Sequence, residues 1–444
     1  MRRTKIACVC LSLLAATAAP GVAFADAVDL EQRVMQMEKE LQELKALLKQ
    51  EGQQRETEVA AINTQVAEVA KTAPKANLKL GDNTTLTYGG FIKVNGLYSD
   101  YDDGPRPGNI GDEILVPSTI PVGGVGEGAQ FDSDVKTSRF FFKTSTQTSA
   151  GLLNSHFEMD LLSGGGDERV SNSTNSRIRH AYFDWKYSSD ASLLVGQTWS
   201  TFFNVGALPE SVEFIGPTSG TIFNRQTQLR WTKSLGSGSF MLAAENPSTS
   251  LTDAGSGIAA SNYDDNSVPD IVARFNGKAG NHAYTIAALG REIAYDDGLL
   301  DESDFGFALN LSGKFSLGNG DDIRYSFSHG NLGRYIALNA FRDGGIDAAG
   351  NLELTDVTGG YVAYRHNWND KLRSTIQYAL ATADLAPGIA SSNTERVDNF
   401  NVNLMYSPTP KLTFGGALIK ASRELENGAK GELNRLQVTA KFAF

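Results

Sequence analysis

Cysteine is almost absent from this chain, and what little there is falls in the wrong place for chemistry. Cys8 and Cys10 are the only two in 444 residues, and both sit in an apolar stretch that reads as a leader. Past residue 25 there is no thiol, which excludes disulfides, thiolate catalysis and a lipid-anchoring cysteine. Long hydrophobic runs are missing too. Beyond the leader no apolar run approaches the roughly 18 residues of a spanning helix, so a helical membrane protein is excluded, whereas a β-barrel, with strands only half apolar, is not. Positive charge is scarce: the net charge is −11, which argues against a nucleic-acid partner. The five histidines, His156, His180, His282, His329 and His366, are scattered. None forms a metal-binding pair on a helix, and there is neither a Gly-x-Ser-x-Gly elbow nor a phosphate-binding glycine loop. Nothing here predicts an enzyme, a cofactor or a catalytic metal. The acid pairs Asp264–Asp265 and Asp296–Asp297 read as solvated loop residues rather than calcium ligands.

The amino terminus reads as a secretory signal over residues 1–25. Arg2, Arg3 and Lys5 precede an apolar core from Ile6 to Ala19, and Ala23-Phe24-Ala25 forms a small-residue cleavage site. Loss of those three basic residues takes the net charge from −11 to −14. Next, Leu30, Val34, Met37, Leu41, Leu44 and Leu48 recur at spacings of four and three among Glu, Gln, Lys and Arg. That heptad pattern predicts a coiled coil over 26–73. Val59, Ile62, Val66 and Val69 resume it after a stutter. The alternative is a single amphipathic helix lying on another surface. Pro74 ends the helix, and 74–85 reads as a linker.

From Leu86 the period changes to two. Sixteen alternating segments follow, at about 86–98, 135–148, 151–162, 176–188, 190–199, 221–234, 237–246, 268–279, 281–293, 303–317, 321–330, 357–369, 371–384, 396–407, 411–424 and 433–444. In the last, Leu436, Val438, Ala440, Phe442 and Phe444 alternate with Arg435, Gln437, Thr439 and Lys441, so one face is oily and the other polar. A soluble edge strand of that length would normally be blunted by charge or proline. Connections after even-numbered segments are short, as at Ser149-Ala150 and Asn369-Asp370, and long polar loops such as 99–134, 163–175, 200–220, 247–267 and 331–356 follow odd ones. The predicted fold is all-β: a 16-stranded antiparallel transmembrane barrel over 86–444, preceded by a short helical coiled coil. Short turns face the periplasm and long loops face outward.

Alternation also assigns faces. With Phe140 and Phe142 toward lipid, Arg139 and Lys143 point into the lumen. Arg177 and Arg179 share a face opposite Ile178, and Leu229 and Trp231 outward put Arg230 inward. The same rule turns Lys93, Arg274, Arg324, Arg365 and Arg373 to the lumen. A charge facing lipid at mid-bilayer costs about 2–4 kcal/mol, which makes the lumen the default. A basic lumen in an acidic chain predicts an electrostatic constriction for small anions, carboxylates above all, since guanidinium matches carboxylate two-pronged. The alternative is that these cations only offset nearby acids. Loop 200–220 carries Phe202, Phe203, Phe214 and Ile215 beside Glu210 and Glu213. Folded into the barrel, it would narrow the pore and set both glutamates against the arginine wall; otherwise it is an interface loop.

The leader, the heptad segment and the stretches 88–93, 138–143 and 177–185 (Tyr-Gly-Gly-Phe-Ile-Lys, Ser-Arg-Phe-Phe-Phe-Lys and Arg-Ile-Arg-His-Ala-Tyr-Phe-Asp-Trp) occur here in an order that resembles the DcaP-type outer-membrane porins. Val195-Gly196-Gln197-Thr198, before the inserted loop, is similar to general porins. The resemblance implies a homotrimer joined by a periplasmic helical extension, uptake of small anionic solutes such as dicarboxylates, and a basic constriction matched here by Arg139, Arg177, Arg179 and Arg230. The expected place is the outer membrane of a Gram-negative bacterium, in contact with its lipid and lipopolysaccharide and with peptidoglycan near the coiled coil. The competing reading is a structural tether or adhesin whose coiled coil grips the cell wall and whose barrel is only an anchor.

Overall fold

The computed structural model describes residues 77–444 except 109, 165–167, 253–260, 348 and 386–388, together with Gln36, Lys39 and Gln42. The chain divides into two units, Met1–Lys75 and Ala76–Phe444. In the first, the three described residues are helical; the signal peptide and the rest of the predicted coiled coil lie outside the described residues.

The second unit is built on alternation. Eighteen strands share one sheet. Two of them, Asn77–Leu80 and Gln130–Asp134, pair only alongside the first long strand. The other sixteen close on themselves: β1 (Thr84–Tyr101), β2 (Arg139–Thr148), β3 (Gly151–Asp160), β4 (Arg177–Lys186), β5 (Ala191–Trp199), β6 (Arg225–Leu235), β7 (Gly238–Glu245), β8 (Asp270–Ala279), β9 (His282–Asp296), β10 (Asp301–Ser316), β11 (Asp322–Gly330), β12 (Asp356–Asn367), β13 (Leu372–Asp384), β14 (Thr394–Thr409), β15 (Leu412–Leu425) and β16 (Lys430–Ala443). Each pairs antiparallel with the next. β16 then returns to β1 in the register Lys441↔Lys93 and Leu436↔Tyr98. Phe444 finishes the seam, donating its N–H to the Gly90 carbonyl at 3.1 Å. The closing strand is therefore paired on both sides, and no edge is left open.

All sixteen predicted segments are barrel strands. On β10, Phe305, Phe307, Leu309 and Leu311 are exposed, while Ala308, Asn310 and Ser312 are buried. Only a wet or filled interior explains polar residues on the covered face. Toward the short turns the outer wall carries Tyr88, Trp231, Tyr364, Trp368, Tyr406 and Phe442, all exposed, which is the aromatic girdle expected at a membrane interface. The structure differs in three places. Residues 77–80 of the predicted linker form a strand that pairs back on 84–87. The connections 297–300 and 426–429 are as short as the turns at the other end of the barrel. Finally, three loops rather than one pack against the inner wall.

Loop 200–224 crosses the lumen from β5–β6 to the far wall. Asn399 of β14 accepts from the Ser219 N–H at 2.9 Å and donates to the Gly216 carbonyl at 2.8 Å, and Asn403 donates to the Glu210 carbonyl at 3.3 Å. Two glycines permit this. Gly216 has φ +93, and a Cβ at Gly220 would lie 1.9 Å from the Gly360 carbonyl oxygen of β12, so that loop and wall touch backbone to backbone. Loop 331–355 follows it inside. Phe223 donates its N–H to the Tyr335 carbonyl and Ala337 to that of Thr221, and Phe202, Phe203, Ile222, Leu332, Tyr335, Ile336 and Phe341 form one buried cluster against Val272, Leu289 and Val357. The stretch 102–129 packs Leu115 and Ile120 onto Met405, Ile419 and Leu433 on the inner faces of β14–β16. An apolar filling thus occupies the β7–β14 side of the lumen.

Candidate functional site

The part of the interior left open lies along β1–β6 and β16, and it is polar. At its centre four guanidinium groups meet two carboxylates. Arg177 grips Asp160 with two bonds, at 3.0 and 2.8 Å. Arg179 bridges Glu158 at 2.7 Å and Asp160 at 2.9 Å. Arg139 and Arg225 are electrostatic neighbours of this pair and pair with no carboxylate of their own among the described residues. Four positive groups against two negative ones leave the cluster at +2.

Local structure sets each position. The ladder between β3 and β4 shifts by one residue at Glu158/Met159, and this bulge makes Arg179 and His180, adjacent in sequence, both inward and buried. Strict alternation would have sent His180 outward with Ile178. His180 then stacks on His156 at 5.1 Å. The cations lie on rings. Arg139 sits between Phe91 and Phe214, at 5.4 and 5.5 Å. Arg179 sits between Trp199 and Phe214, at 5.5 and 5.7 Å. Arg225 covers Trp199 at 4.4 Å. Phe214, carried in by loop 200–224, is thus wedged among the arginines, each contact favourable by about 0.5–2 kcal/mol. Toward the short turns the lumen widens into a cavity of ≈ 520 Å³ lined by Lys143, His156, Tyr182, Asp184 and Arg230 among others.

The donors that remain matter most. Arg139 Nε, Arg225 Nη1 and Arg230 Nε are buried and find no hydrogen-bond partner among the described residues. An unmet buried donor costs about 1–3 kcal/mol, more when charged. A bound anion would remove that cost.

Other predicted site residues have different employment. Lys93 faces inward as expected but donates to the Val212 carbonyl at 2.6 Å. Arg274 donates to the Phe203 carbonyl at 2.8 Å. Arg324 contacts Asp322 at 2.8 Å and also donates to the Leu208 carbonyl. These three hold loop 200–224 in place, and their charge is partly spent on its carbonyl oxygens. Glu210 does stand against the wall, in a two-pronged pair with Arg373, both contacts 2.6 Å. Glu213 is buried and accepts from its own loop, from Ile215 and Gly216 at 2.7 and 2.6 Å, and from Leu115 at 3.1 Å. It ties two inserted loops together rather than facing solute. Sequence reasoning missed Arg225, and it put Lys441 on the polar face without counting it in the site; Lys441 lies over Phe91 at 4.2 Å. Parity with Leu229 and Trp231 points Arg225 outward, yet at the first residue of β6 its guanidinium lies over Trp199 beside the inward arginines. The apolar run Leu332, Tyr335, Ile336 and Phe341 would have revealed the second inserted loop by the criterion used for the first.

Two expected outcomes follow from these pairs. Glu210→Gln leaves Arg373 without its carboxylate and adds one net positive charge to the cavity of ≈ 190 Å³ that Glu210 and Arg373 line with Arg139 and Lys441. Anion preference should rise several-fold and conductance modestly, read as reversal potential and single-channel current; an unchanged reversal potential would show that the pair lies off the ion path. The second concerns Asp112, in the 102–129 loop, 3.2 Å from Arg106. Burial pushes its carboxyl up to about 6, with Asp132 adding and Arg106 and Arg435 opposing. The fold therefore favours the protonated form, so ionised Asp112 loosens the loop above about pH 6 and the strain is relieved as pH falls through that value. Lowering the pH from 7 to 5 should remove one negative charge from the mouth and raise anion preference. Asp112→Asn should start from the raised level at pH 7 and shift less; an identical pH response in this variant would assign the effect to other groups.

A family model described as DcaP outer membrane protein matches residues 23–444. No curated protein matches the chain. Among solved structures, the outer membrane channel DcaP of Acinetobacter baumannii aligns with a TM-score of 0.68 at 20% identity, covering 83% of this chain and 99% of that one. OmpF of Salmonella typhi, solved with daunomycin, gives 0.53 at 11% identity over 83% and 100%. The trimer form of OmpT from Vibrio cholerae gives 0.52 at 10% over 82% and 100%. At such identities these likenesses speak for the fold alone.

Proposed function

The chain belongs to the DcaP outer membrane protein family, and is accordingly an outer-membrane channel rather than an enzyme; we propose that it is a passive diffusion pore preferring small anions, carboxylates above all. The observation that carries this reading is the set of buried guanidinium donors without partners, at Arg139, Arg225 and Arg230. A carboxylate entering the +2 cluster would meet charge and unmet N–H groups together. Arg177, Arg179 and Lys143 add to the field, while Lys93, Arg274 and Glu213 act through the position of loop 200–224. Glu210 holds the exit side of that loop and tempers Arg373.

The half-filled lumen does not make the barrel a mere anchor, because the filling is confined to one side and a polar cavity remains on the other. We further propose a homotrimer whose contact lies on the β1–β4 wall. There two hydroxyl pairs stand among the apolar residues of the outward face: Thr84 meets Thr146 at 3.0 Å and Thr144 meets Ser155 at 2.6 Å. Hydroxyl pairs are better matched to a protein neighbour than to acyl chains. A coiled coil over 26–73, peptidoglycan beside it, and cleavage of residues 1–25 complete the proposal. The direct test is the reversal potential of the purified protein in a planar bilayer under a salt gradient. Anion selectivity is expected; cation selectivity would mean that the acids dominate and would remove the carboxylate reading.

A further inference from the structure

Between the arginine cluster and the short turns, the lumen wall carries charges that the fold leaves uncommitted. The register fixes their heights. Lys143, His156 and Tyr182 share one rung across β2, β3 and β4. One inward position nearer the short turns, Asn154, Asp184, Leu194 and Arg230 share the next, across β3 to β6. Phe183 and Trp231 are exposed on the outer wall, so their neighbours Asp184 and Arg230 point the other way. Both line the cavity of ≈ 520 Å³, together with Lys143 and Lys186.

Other lumenal carboxylates are held by cations. Arg177 and Arg179 hold Asp160 and Glu158, Arg373 holds Glu210, and Arg324 and Arg365 hold Asp322. Asp184 differs: its carboxylate makes no hydrogen bond or ion pair among the described residues. Arg230 is an electrostatic neighbour, but its backbone lies two strands away, about 10 Å at the usual strand spacing. Arg230 Nε is itself buried without a partner among the described residues. Lys143 lies over the Phe141 ring at 4.8 Å and, like Lys186, makes no ion pair among them. An acceptor thus stands among cationic donors, none of them close enough to pair with it. A carboxylate in the cavity can take the donors, while Asp184 repels it. Asp184 is satisfied only by a group that donates, and an ammonium does so with full charge. A plain dicarboxylate brings acceptors alone; an amino acid brings both.

Resting on the anion reading above, we propose that this cavity is a binding station for amino-carboxylates, the carboxylate on Arg230 and the ammonium on Asp184, with Lys143 facing a second carboxylate where the solute has one. The +2 cluster selects by charge, and the station selects among the admitted anions by the presence of a donor.

The experiment is ion-current recording from the full protein in a planar bilayer, with glutamate or glutarate added to the bath. The two share a five-carbon skeleton with two carboxylates and differ by one ammonium. On charge alone glutarate, the more negative, should stay longer in a basic pore, so an advantage for glutamate can come only from its ammonium. Glutamate should interrupt the current with a dwell about fivefold longer, the upper range for an ion pair in contact with water. Asp184→Asn should abolish that advantage and lengthen the dwell of glutarate, while Asp184→Glu should keep the advantage. Heat-modifiable migration confirms that both variants keep the barrel, and the wild-type comparison stands without them. Equal dwells in the wild type, or a glutamate advantage retained in Asp184→Asn, would overturn the proposal. Reversal potential in the same bilayers reads the anion preference separately. Anion selectivity with equal dwells removes the station alone, whereas cation selectivity with a glutamate advantage that Asp184→Asn abolishes supports the station and removes only the anion reading.

Discussion

Replacing Arg139, Arg177 and Arg179 together by alanine should turn an anion-selective pore into a cation-selective one. The expectation rests on the balance at the cluster. The three arginines and Arg225 face Glu158 and Asp160; with the three gone, one cation faces two carboxylates, and +2 becomes −1. At about 10 Å and an effective dielectric of about 20, each unit charge changes the energy of a passing ion by roughly 1–2 kcal/mol, so the permeability ratio should move by about tenfold or more per charge. The six groups share partners, so the steps will not add. Arg139→Ala alone is the cleaner comparison. It orphans no carboxylate, because Arg139 has none, and should reduce anion preference by about tenfold without inverting it. The measurement belongs at low salt, since the Debye length is about 10 Å at 0.1 M and exposed contributions fade above that. If the triple variant remained anion-selective, the selectivity would lie elsewhere, with the remaining lumenal cations Lys143, Arg230 and Lys441 the next place to look.

How far the sequence foretells this site depends on the range of the interactions that make it. The wall is legible because alternation is a local property. Asn399, Asn401 and Asn403 set against Phe400, Val402 and Leu404 already say which face is covered: the three asparagines are buried, Phe400 and Leu404 exposed and Val402 half-exposed. What alternation cannot say is what a lumenal side chain finds there. Lys93 and Val212 lie 119 residues apart, and Arg373 and Glu210 lie 163 apart. The division of basic residues into those that hold a loop and those left for solute is set by where loop 200–224 crosses, which depends on Asn399 and Gly360 on the opposite wall. Local irregularity hid the rest. The β3–β4 bulge brings His180 inward against its parity, and Arg225, the first residue of β6, joins the cluster against its own. Both departures fall at the cluster itself, where a change of side-chain direction gathers more groups than a regular ladder could.

Arg291→Met should be among the most damaging single substitutions in the barrel, and its effect should appear in the channel current as well as in stability. Arg291 and Asp343 are fully buried. The arginine reaches Asp343 through two contacts, one of them 3.2 Å, and donates to the Ser248 carbonyl at 2.7 Å. Asp343 in turn accepts from the Ser250 N–H at 2.8 Å and from that of Arg334 at 3.2 Å. One ion pair therefore fastens the segments around Ser250 and Arg334 to β9. Removing one partner leaves an uncompensated buried charge, which costs about 3–5 kcal/mol. The loop it fastens is already under load. Ala337, Leu338 and Asn339 lie consecutively at φ +51, +56 and +62, a conformation that non-glycine residues keep only where surrounding contacts over-determine it, at roughly 1–3 kcal/mol each. With the anchor gone, loop 331–355 should relax out of the lumen. Conductance should rise and become noisy, the barrel should unfold at lower temperature in detergent, and protease should cut within 331–355. Arg291→Met combined with Asp343→Leu removes both charges and should recover much of the lost stability, because no ion is then stranded. Single variants with wild-type current and wild-type melting would show that the apolar cluster of Leu332, Tyr335, Ile336 and Phe341 holds the loop by itself, and that the ion pair only sets its register.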